Sequence, residues 1–467
     1  MTSHHALSKR AVMGAVVVTL MAAPGAAFGQ AAGVTDPGVR TGAAGAGGAV
    51  PGLATADVNF FTAARTVFQE IVSVAGTAPG TNGSGLGPRF NSNSCASCHA
   101  QPSVGGSSPA ANPQIGIANL DMVSGSGNTI PPFITPNGPT REARFIKNAD
   151  GTPDGGVHDL FVITGRADAP GCNMRQPNFA AAIAANNIIF RIPTPTFGLG
   201  LVEALTEQTL IQDSVNISGP QASLGIASGI FNRSGNDGTI TRFGWKAQNK
   251  SLLMFAGEAY NVEMGVTNEL FPEERDDTPD DTPSIAQSCN FNPIPEDATN
   301  LADDGSSNSP AADISSDIVD FAAFSRLSAA PVPVAPTNTT TQGHNQFVNI
   351  GCGGCHIPQH TTGRSTFGVA MSNVTITPFS DFALHTMGVG LQDQVSQGAA
   401  NGQQFRSAPL WGVGQRVFFL HDGRTSSLVA AIEAHASAGS EANQVIANFN
   451  LLSASDQQAI IAFLRSL

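Results

Sequence analysis

Two copies of a Cys-x-x-Cys-His motif constrain the fold of this 467-residue chain more than any other feature. Residues 95–99 read Cys-Ala-Ser-Cys-His, and residues 352–356 read Cys-Gly-Gly-Cys-His. On one turn of helix, two thiols at this spacing can bond the vinyl groups along one edge of a haem, and the histidine that follows can ligate the iron. Zinc sites usually pair Cys-x-x-Cys motifs without a histidine directly after each, and redox Cys-x-x-Cys motifs usually belong to thioredoxin-like units.

The doubled motif therefore predicts two covalently bound haem c groups. The cysteines that would attach them are Cys95, Cys98, Cys352 and Cys355, and the proximal iron ligands would be His99 and His356. Because haem of this type is attached outside the cytoplasm, the motif is also typical of an exported protein.

Segments around the two motifs resemble each other in the same order. Phenylalanine-bearing, helix-like stretches precede both motifs, and residues 195–200 (Pro-Thr-Phe-Gly-Leu-Gly) resemble residues 409–414 (Pro-Leu-Trp-Gly-Val-Gly). Residues 317–326 and 456–465 are a third matching pair, and each ends in arginine. Three matches in order predict a duplicated architecture. The expected fold is mainly α, with two cytochrome-c-like helical haem domains in tandem, the first enlarged by long loop-rich insertions.

Composition along the chain places the domain boundaries. Basic residues, an apolar run and small residues before a cleavage point predict a signal peptide, and hence a periplasmic or otherwise exported protein that is soluble after cleavage. The predicted units are a signal peptide at 1–29, a flexible Gly/Ala-rich leader at 30–52, an N-terminal haem domain with insertions at 53–330, a Pro-rich linker at 331–342 and a C-terminal cytochrome domain at 343–467. No later apolar run is long enough to cross a membrane.

Charge and cysteine content narrow the classes of protein and partner. Only 12% of the residues are charged and 41% are hydrophobic, which excludes a mainly disordered polyelectrolyte. The net charge is −13 and the basic residues do not cluster, which argues against binding to nucleic acid. Cys172 and Cys289 lie outside the motifs. Because two spare cysteines usually pair in an oxidising compartment, they are predicted to form a disulfide, with two buried free thiols as the alternative.

Seven further stretches resemble one known family. They are Gly85–Asn91, Thr164–Cys172, Phe197–Ala204, Arg242–Gln248, Ser380–Gly388, Ala408–Gly414 and Leu420–Arg424. Together with the two motifs, they resemble the di-haem oxidoreductases once labelled thiol oxidoreductases, which are similar to the bacterial di-haem cytochrome c peroxidases. The matching stretches run from about residue 53 to the end of the chain.

This resemblance implies a haem peroxidase-like oxidoreductase of the cytochrome c peroxidase type. The C-terminal haem would relay electrons from a small redox donor, of cytochrome c or cupredoxin type, to an N-terminal haem that reacts with hydrogen peroxide. A di-haem electron-transfer cytochrome is one alternative, and an oxygenase or protein-modifying enzyme that uses the same iron is another. In the protein-modifying relatives a tyrosine ligates the relay haem. The single tyrosine of this chain, Tyr260, is badly placed for that role.

The resemblance also implies a sixth iron ligand for the C-terminal haem. In the peroxidases this ligand follows the histidine of a His-x-Gly motif by fourteen residues. Here the motif begins at His421, and the residue fourteen positions later is His435. His385 and Met387 are rival ligands, and a solvated helix histidine is the alternative interpretation of His435. His421 would lie near the haem without binding iron.

The N-terminal haem is expected to have an open iron site. In the peroxidases a displaceable histidine follows the proximal one by sixteen residues, but that position here is Ile115. No histidine occurs between His99 and His158, and His158 lies in a loop-like insertion that makes it only a weak candidate. An open iron is what peroxide or dioxygen needs.

Four further residues are candidates for a part in the reaction, and one segment bears on calcium. Glu203 resembles the acid–base glutamate of the peroxidases, with an ordinary helix-start glutamate as the alternative. Arg191 is a candidate partner of peroxide or of a haem propionate. Trp245 and Trp411 are candidate electron relays between the haems, although packing is the more common role of tryptophan. Relatives bind calcium through backbone carbonyls at positions that here read Arg416-Val-Phe418, which leaves calcium open.

Overall fold

The computed structural model describes residues 33–123, 128–226, 229–275, 289, 296–299 and 315–467. The predicted signal peptide lies outside the described residues, as does much of the loop-rich insertion around residue 300. Within these ranges the fold is rich in helices and contains several small sheets. None of the described helices is long and apolar enough to cross a membrane.

Short helices form most of the regular structure. α-Helices span Thr55–Phe68, Cys95–Cys98, Gln114–Val123, Phe179–Ala184, Leu199–Glu203, Glu207–Ser223, Leu252–Met264, Asp317–Leu327, Asn338–Asn349, Gly388–Leu391, Leu428–Glu433, Asn443–Leu451 and Ala454–Ser466. Turns of 3-10 helix span Cys352–Gly354, Val369–Met371 and Val413–Gln415. Several helices begin at a hydroxyl side chain that accepts a hydrogen bond from the backbone N–H three residues further on: Thr206, Ser251, Thr337, Ser427 and Ser453.

The strands are short and form five small sheets in the described part of the chain. The two-stranded pairs are Val72–Ser73 with Gly83–Ser84 (parallel) and, antiparallel, Arg89–Phe90 with Phe161–Val162, His360–Thr361 with Thr375–Ile376, and Leu384–Thr386 with Gln404–Arg406. The three-stranded sheet is antiparallel, with Glu142–Phe145 between Val157–His158 and Ile188–Arg191. Its register sets Glu142 opposite Arg191, which places an acidic and a basic residue next to each other at one end of the sheet.

Each half of the chain has its own hydrophobic cluster. In each cluster, the helix that precedes the Cys-x-x-Cys-His motif packs on the last helix of that half. In the first half this last helix is Asp317–Leu327, and the rings of Phe68 and Phe324 lie 4.6 Å apart. In the second half it is the C-terminal helix, where the rings of Phe347 and Phe463 lie 5.5 Å apart. Burial of these rings removes a large apolar area from water and stabilises both halves.

Two glycines permit the same close approach in both halves. A Cβ atom at Gly200 would collide with the backbone carbonyl of Arg326, and one at Gly414 would collide with the backbone carbonyl of Arg465. These arginines hold equivalent positions in the matching segments of the sequence. The matching segments therefore make matching contacts in the structure, and glycine is required because no side chain fits at either crossing.

Residues 33–52, most of the predicted leader, contact both halves of the chain. Asp36 forms a buried ion pair with Arg465, with an oxygen–nitrogen distance of 2.7 Å. Val34 is buried in the hydrophobic cluster of the second half, and Val50 in that of the first. The segment is therefore held along both halves, because a few apolar and charged anchors outweigh the flexibility of the glycines between them.

The predicted linker at 331–342 combines extended chain with helix. Residues 331–337 have no regular secondary structure, but a helix begins at Asn338. Thr337 and Thr340 form a reciprocal capping box that sets this start. The threonines that follow the prolines therefore cap and begin a helix within the predicted linker.

Candidate functional site

Both Cys-x-x-Cys-His motifs form the same local turn. In the first, the backbone N–H of His99 donates to the carbonyl oxygen of the leading cysteine at 3.0 Å. In the second, the backbone N–H of His356 makes the same hydrogen bond, also at 3.0 Å. None of the four motif cysteines is in a disulfide. Each turn therefore presents two thiols and one imidazole to a single cavity.

A backbone carbonyl orients each motif histidine. Nδ1 of His99 lies 3.0 Å from the carbonyl oxygen of Gly106, and Nδ1 of His356 lies 2.9 Å from that of Phe379. A carbonyl only accepts, so each Nδ1 carries the proton and Nε2 is the nitrogen available to a metal. Burial lowers the pKa of both histidines to about 4, which keeps them neutral at neutral pH. A neutral imidazole held in this way is the form that ligates iron.

Each motif lines a large cavity whose chemistry fits a haem. Together with the part that is open to solvent, the first cavity contains about 1290 Å³ and the second about 1370 Å³ of space that no protein atom fills. The rings of Phe68 and Phe347 lie 6.0 and 6.3 Å from those of His99 and His356. Two thiols, an imidazole and an aromatic wall are what a covalently attached haem requires.

Two carboxyl groups of the first cavity interact with each other. Glu142 and Glu263 both line this cavity and are hydrogen-bonded to each other. Burial, and then the negative charge of Glu142, raises the pKa of Glu263 well above its usual range. Burial also acts to raise the pKa of Glu142, but the charges of Arg144 and Arg191 outweigh it and lower that pKa. Glu263 is therefore the member of the pair that keeps its proton to higher pH, and Glu142 is the member that ionises first.

Neighbouring side chains fix this carboxyl pair. Nε of Arg144 donates to Glu142 at 2.6 Å. The amide nitrogen of Asn91 donates to Glu263 at 3.0 Å and to Asp159 at 2.9 Å. The pair is thus held from two sides by side chains that come from different parts of the chain.

Arg191, a sequence-predicted site residue, lines the first cavity. Its guanidinium pairs with Asp393 at 2.9 Å, and Asp393 also pairs with Lys246 at 3.0 Å. The three side chains are almost fully buried, so this cluster is shielded from solvent. Because Asp393 belongs to the second half, the cluster ties the wall of the first cavity to the second half of the chain.

Glu203, the acid–base candidate from the sequence, lines neither large cavity. Its carboxylate pairs with Arg326 at 2.7 Å and accepts a hydrogen bond from the backbone N–H of Leu252 at 2.8 Å. These contacts hold three helices of the first half together, Leu199–Glu203, Leu252–Met264 and Asp317–Leu327. The carboxyl-bearing residues of the described chain that line the first cavity are Glu142, Glu258 and Glu263.

His99 is the only histidine among the described residues that line the first cavity. His158, the weak alternative ligand, lies outside it, with Nε2 2.9 Å from a carboxylate oxygen of Asp154. Tyr260 lines the first cavity and not the second, and its hydroxyl donates to Asp317 at 2.9 Å. The described part of the chain thus offers the first cavity one imidazole.

Hydrogen bonds distinguish the histidines of the second cavity. The histidines that line it are His356, His385, His421 and His435. Nδ1 of His435 lies 2.7 Å from the carbonyl oxygen of Ala431, which leaves Nε2 for a metal. Both ring nitrogens of His385 face carboxylates, those of Asp381 and Glu441, each at 2.9 Å. His385 therefore carries two protons and has no lone pair for iron, whereas His435 has one.

The other residues predicted near the second haem also line this cavity. His421 stacks on Phe405 with a ring separation of 4.4 Å, and burial lowers its pKa to about 4. Met387 lines the same cavity. Although burial acts to lower the pKa of His385, Asp381 raises it well above the usual range, which agrees with its two protons. The structure thus brings together every sequence-predicted neighbour of the second haem.

The two tryptophans occupy different positions. Trp245 is the one described residue that lines both large cavities, and its indole N–H donates to the carbonyl oxygen of Ile192 at 2.9 Å. Trp411 is buried in the hydrophobic cluster of the first half and lines neither large cavity. Of the two, Trp245 therefore lies directly between the cavities.

The structure also shows where Cys172 and Cys289 lie, and what occupies the position at which relatives bind calcium. The sulfur atoms of Cys172 and Cys289 lie at bonding distance, 2.15 Å, and both residues are buried. At the position where relatives bind calcium, the side chain of Arg416 lines the second cavity. A guanidinium there repels a nearby cation.

The sequence does not reveal Glu142 and Glu263 as residues of the first cavity, or Asp393 and Lys246 as members of the buried ion-pair cluster of Arg191. Glu142 lies on a short strand and Glu263 near the end of a helix, and neither belongs to a motif. A charged residue in an otherwise apolar helix is the one signal that could have marked Glu263, since such residues are rarely enclosed without a partner.

Comparison with known proteins identifies the family. The family described as "di-haem oxidoreductase, putative peroxidase" matches residues 143–467, more than half of the chain. A solved structure of a MauG-like protein associated with microbial copper homeostasis is 19% identical, over 34% of this chain and 54% of that one, with a TM-score of 0.22. This chain thus matches about half the length of that solved chain. No curated protein matches the chain. The chain belongs to the di-haem oxidoreductase family.

Proposed function

We propose that the protein is an exported, peroxidase-like di-haem c-type oxidoreductase of the cytochrome c peroxidase type. Two cytochrome-c-like units, at residues 53–330 and 343–467, would each hold one haem through their motif cysteines. Electrons from a small redox protein of cytochrome c or cupredoxin type would enter at the second cavity. Hydrogen peroxide would be reduced in the first.

One observation carries this proposal: among the described residues, the first cavity combines a single imidazole with two carboxyl groups, Glu142 and Glu263, that interact with each other. His99 can ligate an iron on one side, and no second histidine of the described chain lines this cavity to block the other. Glu142 and Glu263 supply a base and an acid in the same space. Neither feature alone would distinguish a peroxidase from an electron carrier.

A haem held by Cys95, Cys98 and His99 would supply an iron centre that binds peroxide and transfers electrons. Reduction of peroxide to two waters consumes two electrons and two protons. Glu142, kept as a carboxylate by Arg144 and Arg191, can accept a proton from the bound peroxide. Glu263 can donate its proton to the departing oxygen, and positioned acids and bases of this kind contribute about 10²–10⁴-fold to a rate.

The second cavity suits electron relay better than substrate binding. His356 and His435 both keep a ring nitrogen for iron, so both would hold the iron of a haem bound here. Trp245 lies between this cavity and the first, which makes its indole the preferred path for electrons over Trp411. Two histidine ligands also favour a lower potential than a His/Met pair.

Export and a disulfide are part of the same proposal. The signal peptide predicted at 1–29 supports export. The closeness of the Cys172 and Cys289 sulfurs supports a disulfide, which would persist in an oxidising compartment.

Peroxide turnover tests the proposal. The haem-loaded protein, mixed with hydrogen peroxide and a reduced small cytochrome c, is expected to oxidise the cytochrome in a saturable, protein-dependent manner. The measurement is the absorbance of the reduced cytochrome over time. The proposal fails if both haems are present and reducible but peroxide is not consumed.

Alanine in place of His435 is expected to open the iron site of the second cavity and convert its ferric signal from low-spin to high-spin. The reason is that His435 keeps a nitrogen for iron, whereas both nitrogens of His385 are engaged by carboxylates. Absorption spectra of the oxidised protein measure the change. His385→Ala is the matched control and should keep the low-spin signal. The opposite pattern would identify His385 as the ligand.

A further inference from the structure

Two arginines of the second cavity have no acidic partner in the described part of the chain. Arg406 and Arg416 both line this cavity. The guanidinium of Arg406 donates to the carbonyl oxygens of Gly244 at 2.9 Å and Ser407 at 3.2 Å. The guanidinium of Arg416 donates to the carbonyl oxygen of Pro409 at 3.3 Å. All three acceptors are neutral, so neither positive charge is balanced by them.

The acidic groups of this region are engaged elsewhere. Asp381, whose charge acts on Arg406, accepts hydrogen bonds from His385 and Ser407. Glu441, which lines the cavity, pairs with His385 at 2.9 Å. The two arginines meanwhile repel each other. The protein itself therefore leaves a pair of adjacent cations facing a cavity.

Such a pair favours an anionic ligand. Burial lowers the pKa of Arg406 and Arg416 to about 10, so both stay charged at neutral pH. An enclosed charge without a counter-charge destabilises a fold, and an entering anion relieves that cost. An arginine fork matches a carboxylate in both charge and shape, so the best ligand carries two carboxylates, one for each arginine.

The position of the arginines defines where those carboxylates would lie. Both arginines also line a smaller space beside Trp245 and Trp411. Trp245 lines this space and both large cavities. The arginines therefore form the wall of the second cavity that faces the first.

We propose that Arg406 and Arg416 bind the two propionate carboxylates of the porphyrin in the second cavity. This inference rests on the proposed function, because it requires a haem there. Haem carries both propionates along one edge, which suits two neighbouring arginines. With the carboxylates neutralised, the iron is easier to reduce, so the arginines raise the midpoint potential of this site.

The test uses the haem-loaded protein and the variants Arg406→Gln and Arg416→Gln. Each glutamine variant is expected to lower the midpoint potential of the second haem, and to shift its propionate bending band in the resonance Raman spectrum. The first haem should change in neither property. Arg406→Lys and Arg416→Lys keep the positive charge but lose the paired donors of the guanidinium. Their midpoint potentials should stay close to that of the unmodified protein, whereas the Raman band should still be shifted.

Arg233→Gln is the matched control, because it removes the same charge from an exposed ion pair with Glu207. It should change neither the potential nor the Raman band. Unchanged potential and bands in Arg406→Gln and Arg416→Gln, with both haems present, would overturn the inference and leave the proposed function intact. Absence of a second haem from the unmodified protein would instead overturn the proposed function. If a glutamine variant loses the second haem, its lysine counterpart should retain it, and loss in both would overturn the charge-based account.

Discussion

Glutamine in place of Glu263 is expected to slow the reaction of the haem-loaded protein with hydrogen peroxide by about 10²–10⁴-fold. Glu263 is the protonated member of the carboxyl pair, because burial and the charge of Glu142 raise its pKa. An amide of the same shape keeps the hydrogen bond to Glu142 but cannot release a proton to the departing oxygen. Stopped-flow absorbance at the haem bands measures the rate.

The pH dependence of the same reaction has a defined sign. Because the pKa of Glu263 is raised, its acid form persists to a higher pH than that of an ordinary carboxyl group, and the rate should fall as pH rises through that raised value. In Glu263→Gln this alkaline limb should disappear. Glu203→Gln serves as the comparison, since Glu203 pairs with Arg326 outside the cavity. If Glu203→Gln reacted slowly with hydrogen peroxide and Glu263→Gln reacted at the rate of the unmodified protein, Glu203 would be the acid.

Alanine in place of His99 is expected to abolish peroxide turnover and remove the spectrum of the first haem as it exists in the unmodified protein. His99 is the only described histidine of the first cavity, so no other imidazole can replace it there. The second haem should keep its spectrum, because its ligands come from the other half. Steady-state peroxide consumption and the absorption spectrum measure the two effects.

His158→Ala is the matched control for His99→Ala. His158 lies in the same half and is buried, but it pairs with Asp154 outside the cavity. It should lower stability without changing the spectrum of the folded, haem-loaded protein. Turnover retained in His99→Ala would contradict the assignment of the first cavity as the peroxide site.

Local chemistry explains which features were predictable from the sequence. The spacing inside each Cys-x-x-Cys-His motif dictates a tight turn, and both motifs form that turn. Matching glycines at 200 and 414 reflect matching backbone crossings, so the three sequence matches reveal two halves with like packing. His435 was found through a resemblance, and its free ring nitrogen supports that role.

Long-range contacts explain what the sequence could not reveal. Glu142 and Glu263 meet only because a strand and a helix from distant parts of the chain face one cavity. Glu203 belongs to one of the stretches that resemble the family, but it pairs with Arg326 and does not line that cavity. The ion pair of Asp36 with Arg465 likewise joins residues that are more than 400 positions apart, and composition gives no sign of it.

The most direct test of the central claim is low-temperature electron paramagnetic resonance of the oxidised, haem-loaded protein. We expect one high-spin ferric signal, from an open iron in the first cavity, and one low-spin signal, from an iron that His356 and His435 ligate in the second. Two low-spin signals would contradict it, because a further ligand would then close the first iron. The protein would in that case be an electron carrier or an enzyme that requires reduction before it binds peroxide.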